Sequence, residues 1–174
     1  MRPRLRLDVL IPTHNRAPLL ERCLASVLRA APADDLDVHI TVVCNGCSDG
    51  SRASVLRYQA AYPGRISLID ERRRGKSKAL NAGIAATSGD LVGMIDDDEE
   101  VDANWLRVVA REFADPDLDF AGGPYLPVWD APVPDWLPPD YLAVLGVVDN
   151  GPAVREYSRG FPGILKGGNP VVRR

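Results

Sequence analysis

A run of apolar or small residues, Leu91 to Ile95, passes without a break into five consecutive acids, Asp96 to Glu100. So short an apolar segment reads as a buried strand, and it delivers carboxylates to its own C-terminal edge. Ala103, Trp105, Leu106, Val108 and Val109 recur at helical spacing, which predicts a helix directly after the acids. In an open parallel α/β sheet, ligands bind outside the carboxyl ends of the strands. Carboxylates packed this closely repel one another unless a cation or solvent separates them. Oxygen-bearing side chains two residues apart can share one hard cation such as Mg²⁺ or Mn²⁺. A charge run is more often a solvated turn; the apolar strand immediately upstream favours the metal site here.

The 174 residues suffice for one domain with a real core. The net charge of -3, from 21 basic and 24 acidic residues, gives no general attraction to nucleic acid. No apolar run approaches the roughly 20 residues that span a bilayer. The opening MRPRLRLDVLIP is basic and then apolar, but the apolar run is short and Asp8 interrupts it, so it does not read as a signal peptide. The expected location is the cytoplasm, with room for peripheral contact with a membrane. Three cysteines form no disulfide framework. Cys44 and Cys47 make a CxxC, but no second pair exists and the histidines are only His14 and His39, which disfavours zinc or redox use.

Strand-like and helix-like segments alternate along the first two thirds of the chain. Strands are predicted at Arg6–Pro12, Val38–Cys44, Ile66–Ile69, Leu91–Ile95 and Phe120–Tyr125. The second shows β-branched residues and alternation at His39 to Val42. Helices are predicted from Ala17 to Ala30, from the turn cluster at Asn45–Ser51 to about Tyr62, after the basic loop Arg72–Lys78, and after the acids to about Ala114. Pro18 suits a first helical turn and Pro32 stops the helix. This alternation predicts an α/β fold with a mostly parallel sheet flanked by helices. From Pro127 to Pro139 prolines and tryptophans break any period, so a long irregular excursion is expected. Tyr141–Val148 is read as a short helix, and the end, Gly163–Arg174, as having a strand-like close.

Several motifs fail on inspection. Gly75-Lys76-Ser77 ends like a phosphate-binding loop, but position 70, where its other glycine belongs, is Asp70. A basic loop opening a helix can still offer N–H groups and a Lys charge to a phosphate. Asp96-x-Asp98-x-Glu100 lacks the glycine and the closing glutamate of an EF-hand, having Val101 and Arg107 there. No GxSxG supports a serine hydrolase. His14 is assigned a plain surface or packing role.

Taken in order, VLIPTHNR, VVCNGCSDGS, RGKSKALNAGIAATSGDLVGMIDDDEEVDANWL and GGNPVVRR resemble the signatures of a family 2 glycosyltransferase of the GT-A fold. One piece alone would be weak, but four in the right order are specific. The resemblance implies a Rossmann-like domain over residues 1–174, with a nucleotide-binding part at 6–126 and an incomplete acceptor-side part at 127–174. It implies a nucleotide-sugar site of Pro12, Thr13, Asn15, Arg16, Asn45, Asp49, Lys76, Asp96 and Asp97. Asp98 and Asp96 would be the DxD pair that holds Mn²⁺ or Mg²⁺, Asp98 as the direct ligand. Asp49 would brace the second loop. Asn45 stands where many members carry an Asp that contacts the base. The implied activity is metal-dependent, inverting transfer from a nucleoside diphosphate sugar to a carbohydrate, lipid or small-molecule acceptor. The family's general base lies downstream of the GGN segment, beyond Arg174. The base is therefore unassigned, with Asp135, Asp140, Asp149 and Glu156 the acids of the C-terminal third. A non-catalytic nucleotide-sugar-binding module and a nucleotidyltransferase are the alternatives.

Overall fold

The computed structural model describes residues 4–138, 141, 142, 144–149, 151, 153, 154, 156, 157 and 169–174. Ten elements follow in the order β1 (Leu5–Thr13), α1 (Ala17–Arg29), β2 (Leu36–Asn45), α2 (Ser51–Ala61), β3 (Ile66–Glu71), α3 (Lys76–Ala86), β4 (Leu91–Met94), α4 (Trp105–Glu112), β5 (Phe120–Gly122) and β6 (Pro170–Arg173). The six strands form one sheet in the order β3-β2-β1-β4-β6-β5. β1 pairs in parallel with β2 and β4, and β2 with β3, whereas β6 runs antiparallel to both β4 and β5. The expected α/β, mostly parallel sheet is therefore present, with a mixed edge.

The two faces of β1 divide the core. Leu7, Val9 and Ile11 join the main cluster with Leu20, Cys23, Leu24 and Val27 of α1, Val55 of α2 and Leu106 and Val109 of α4. Leu10 faces the other way, under α3. β2 departs from the alternation expected of it: its last six residues, Ile40 to Asn45, are all buried. An interior parallel strand is covered on both faces, so its pattern is continuous rather than alternating.

Three other expectations are corrected. The helix after the acids does not follow at once; residues 96–104 turn before α4 starts at Trp105. β5 stops at Gly122, and Tyr125 makes only an isolated antiparallel bridge to Val148. Within Tyr141–Val148 the described residues give a 3₁₀ turn at Tyr141 and Leu142 and then tight turns, with Val144 N donating to Tyr141 O and Val147 N to Leu142 O, in place of an α-helix. Residues 127–138 hold no strand or helix, as the prolines imply.

The ends of β4 are locked by specific contacts. Buried Asp8 accepts the main-chain N–H groups of Ser88 (3.0 Å) and Gly89 (2.6 Å). A Cβ at Gly89 would lie 2.8 Å from both Arg6 O and Asp8 Oδ2, so only glycine fits the approach to β4. The Trp105 ring lies over Gly93 of the sheet, and Trp105 Nε1 donates to Asn169 Oδ1 (3.2 Å), which ties the C-terminal segment to α4. β6 thus completes the sheet of the first part of the chain. Among the described residues no helix is long and apolar enough to cross a membrane.

Candidate functional site

β1 is the switch point of the sheet: β2 and β3 lie to one side of it and β4 to the other. Such a reversal opens a crevice beyond the carboxyl ends of the strands. A cleft of about 470 Å³ lies there, lined by Pro12, Thr13, His14, Arg16, Asn45, Lys76, Ala79 and Asp96 to Asp98. Eight of the expected site residues therefore meet in one place: Pro12, Thr13, Arg16, Asn45, Lys76, Asp96, Asp97 and Asp98.

Asn15 and Asp49, the other two expected residues, stand beside the cleft and join its loops. Asn15 adopts a left-handed φ of 54°, a conformation that Asn tolerates better than most residues. Its Oδ1 accepts N–H groups from Ser48 (2.7 Å) and Asp49 (3.2 Å). Asp49 accepts from the N–H groups of Ala17 (3.1 Å) and Ser51 (2.9 Å), at the first turns of α1 and α2. The Ser51 side chain, and then these main-chain N–H groups, hold its carboxyl below the usual range. A carboxylate at two helix N-termini is electrostatically favoured.

The three aspartates have different partners. Asp97 is buried; its carboxylate accepts from Thr13 Oγ1 (2.7 Å) and Arg16 Nη1 (3.2 Å). It anchors the turn to the end of β1. Asp98 is exposed and takes the same Arg16 nitrogen at 2.7 Å. Asp96 pairs with the Lys76 ammonium at 2.6 Å. The two acids raise the Arg16 guanidinium still further above its ordinary range, Asp97 most. The repulsion anticipated for this run is thus relieved by one cation from the β1–α1 loop and one from the start of α3. Glu99 is half-buried: burial, and then the charges of Asp96 and Asp98, push its carboxyl up to about 7.

Beyond Asp98 a smaller groove of about 260 Å³ is bounded by Leu19 and Arg22 of α1, the acids Asp98 to Glu100, Leu126 to Val128 and Asp130. Arg22 makes a two-pronged contact with Glu100 (2.7 and 2.9 Å). Nothing in the sequence reading marked this groove or placed His14 and Ala79 in the cleft. Ala79 could have been found as the small residue one turn into α3, where a bulkier side chain would fill the crevice. Of the candidate bases, Asp135, Asp149 and Glu156 are exposed and line neither space, while Asp140 and the Gly167-Gly168 pair lie outside the described residues. Cys44 is buried beside Cys47, and its thiol is pushed up to about 12 by burial, a poor state for a metal ligand.

With this geometry in hand, comparison with known proteins is specific. The family model of Glycosyl transferase family 2 matches residues 8–161. Glycosyltransferase AglE of Haloferax volcanii is 29% identical over 118 residues, 67% of this chain and 38% of its own length. An N-acetylglucosaminyltransferase of Rhizobium sp. (strain N33) is 36% identical over 122 residues, 67% of this chain and 26% of its own. The chain thus spans only about a quarter to two fifths of the curated relatives it matches. Among solved structures, a mannosyltransferase from Pyrobaculum calidifontis in complex with GDP-Man and Mn²⁺ superposes with a TM-score of 0.70 at 25% identity, over 100% of this chain and 45% of that one. TarS from S. aureus shares the fold, with a TM-score of 0.64 at 19% identity over 75% of this chain and 39% of its own.

Proposed function

The chain belongs to glycosyl transferase family 2, and from that premise we propose that it forms the donor-binding part of a metal-dependent, inverting glycosyltransferase that uses a nucleoside diphosphate sugar. The observation that carries this reading is the interleaving of charge in one cleft: Arg16 and Lys76 enter from two loops and meet the acids from a third. A nucleoside diphosphate is a concentrated anion, and a divalent ion with flanking cations suits it.

Asp98 and Asp96 would hold the Mn²⁺ or Mg²⁺. The residues fit such an ion in donor type, since both are carboxylates and hard divalent cations prefer oxygen. Among the described residues no three acids, histidines or cysteines converge as a metal cage. Mg²⁺ is commonly held by one or two carboxylates and completed by substrate phosphates. When bound, the ion would neutralise the charge that develops on the departing diphosphate. That the Pyrobaculum mannosyltransferase is in complex with GDP-Man and Mn²⁺ supports the use of a divalent ion.

The chain's own residues do the rest. The Thr13 hydroxyl fixes Asp97, so the turn that carries Asp96 and Asp98 stays anchored to β1 when Arg16 swings to a ligand. Arg16 and Lys76, both half-exposed on flexible stems, are positioned to turn from their carboxylate partners to phosphate oxygens. Inversion needs a carboxylate that takes the acceptor's proton on the face opposite the leaving group, and Asp96 and Asp98 lie on the donor side. The acceptor is a carbohydrate, a lipid or a small molecule.

Calorimetry with nucleoside diphosphates tests the reading. Affinity should rise with Mn²⁺, and Asp98→Ala should remove that rise. Equal affinity with Mn²⁺ and with EDTA would sink the metal assignment. With a donor sugar, release of nucleoside diphosphate identifies glycosyl transfer; release of pyrophosphate would make the chain a nucleotidyltransferase instead, and binding without turnover a binding module.

A further inference from the structure

If the cleft is a nucleotide site, as the proposed function holds, two of the side chains that line it could meet the base. The first is Asn45, whose carboxamide is already committed to three hydrogen bonds. The residue is only 6% exposed. Its Nδ2 donates to Glu71 O (3.1 Å) and to Arg73 O (2.8 Å), and its Oδ1 accepts the N–H of Gly75 (2.7 Å). Both amide hydrogens and the oxygen are engaged. The side chain staples the end of β2 to the β3–α3 loop, just before Lys76. An aspartate could keep the bond from Gly75, but it would set a carboxylate against two carbonyl oxygens.

The second is His14, which is exposed and lines the cleft. Its Nδ1 lies 2.7 Å from the main-chain oxygen of Asn45. A carbonyl oxygen only accepts, so Nδ1 carries the hydrogen, and in the neutral ring Nε2 keeps a lone pair. Among the described residues Nε2 has no hydrogen-bond partner.

We propose that the His14 imidazole, rather than the Asn45 side chain, reads the nucleobase in this chain, by accepting a ring N–H from it. Uracil, thymine and guanine carry such an N–H on their pairing edge; cytosine and adenine do not. Asn45 is a positioning residue in two ways. Its carboxamide holds the loop that presents Lys76, and its main-chain carbonyl fixes the tautomer of His14.

Calorimetry of the whole chain with UDP, dTDP, GDP, CDP and ADP in Mn²⁺ tests this. The unmodified chain should bind the first three about fivefold more tightly than the last two, the worth of one neutral hydrogen bond. His14→Phe keeps a flat ring on an exposed site but removes the lone pair, and should erase that preference. Asn45→Asp should weaken all five by a similar factor, about tenfold, and leave their ranking intact. A preference that survives His14→Phe, or one that collapses in Asn45→Asp, would overturn the assignment. If the unmodified chain bound none of the five, the nucleotide reading of the cleft would fail, and this inference with it.

Discussion

Two regions of this chain use similar apolar residues to opposite ends. Between β1 and β5 most large apolar side chains are packed away: Leu7, Leu10, Leu20, Leu24 and Leu91 are fully buried, and only a few such as Leu56, Ile84 and Val108 stay exposed. Between residues 126 and 157 Trp136 is 78% exposed, Val144 and Val154 80%, and Leu126 65%. The difference lies in the backbone. In the first region parallel ladders and helices satisfy the N–H and C=O groups, so side chains of successive elements meet face to face. In the second, prolines remove ladder donors and the described residues hold one isolated bridge and a few tight turns. Apolar composition alone does not make a core; it needs elements that can be paired. The acids at the end of β4 sit on the seam, with the well-packed cleft on one side and the groove walled by Leu126, Pro127 and Val128 on the other.

The largest expected effect tests this contrast directly. Phe113 is 1% exposed, with the Arg173 guanidinium 5.4 Å from its ring centre. Phe113→Ala should cost about 3–5 kcal/mol through lost burial and a cavity. Trp136→Ala, a bigger deletion, should change stability by no more than about 0.5 kcal/mol. Urea midpoints at unchanged slope measure both. Equal losses would mean that the second region packs as a core after all.

A smaller effect is expected where the end of the chain grips the first region. Arg174 donates to Thr87 O (2.6 Å), Ile84 O (3.1 Å) and Thr87 Oγ1 (2.9 Å), all at the C-terminus of α3. Arg173 does the same for α4, through Phe113 O (3.0 Å) and Asp115 O (2.7 Å). A cation there satisfies orphan carbonyls and opposes the helix dipole. Arg174→Ala should cost about 1–2 kcal/mol, with faster amide exchange in the last turn of α3. Exchange that rises uniformly over the sheet would place the role of Arg174 elsewhere.

These arginines also mark where the sequence stops being legible. The parallel strands and their helices could be read because each is a local pattern: an apolar run, a helical stripe, a proline or glycine stop. Burial on both faces of β2 could not, because it depends on having β1 and β3 as neighbours. Nor could the insertion of β6 between β4 and β5, a pairing of residues 91–93 with 171–173. The cleft was largely legible because its loops sit at strand ends whose order follows from the alternation. His14 was not, since its tautomer is set by a carbonyl 31 residues away. The Arg16 and Lys76 pairs with the acids were equally hidden, because they join loops that are remote in sequence.

The site itself should separate function from stability. Asp98 is exposed, and its partner Arg16 keeps Asp97 when Asp98 is removed. Asp98→Ala should therefore shift stability by less than about 1 kcal/mol, while abolishing any gain in nucleotide affinity from Mn²⁺. A collapse of stability would show that the acidic turn belongs to the packed region rather than lying on top of it.

The smallest effect concerns the loop that Asn45 staples. Glu71 ends β3, and its carboxylate accepts from Arg73 through the main-chain N–H (2.7 Å), Nε (3.0 Å) and Nη2 (2.7 Å). The Arg73 side chain, then its main-chain N–H, holds this carboxyl at about 2, well below the ordinary 4.5. A folded-state value below the unfolded one means that the ionised form is favoured by folding. The stabilisation is complete above about pH 4.5 and is lost as pH falls towards 2. Glu71→Gln removes the titrating group, so the stability gap between the two proteins should narrow over that window and be constant above it. Because the Arg73 side chain is exposed and solvent screens the pair, the gap should be small throughout. Urea unfolding of both proteins at pH 3 and pH 6 decides the matter: a gap of the same size at both would mean that Glu71 holds the loop by its shape and neutral hydrogen bonds, not by its charge.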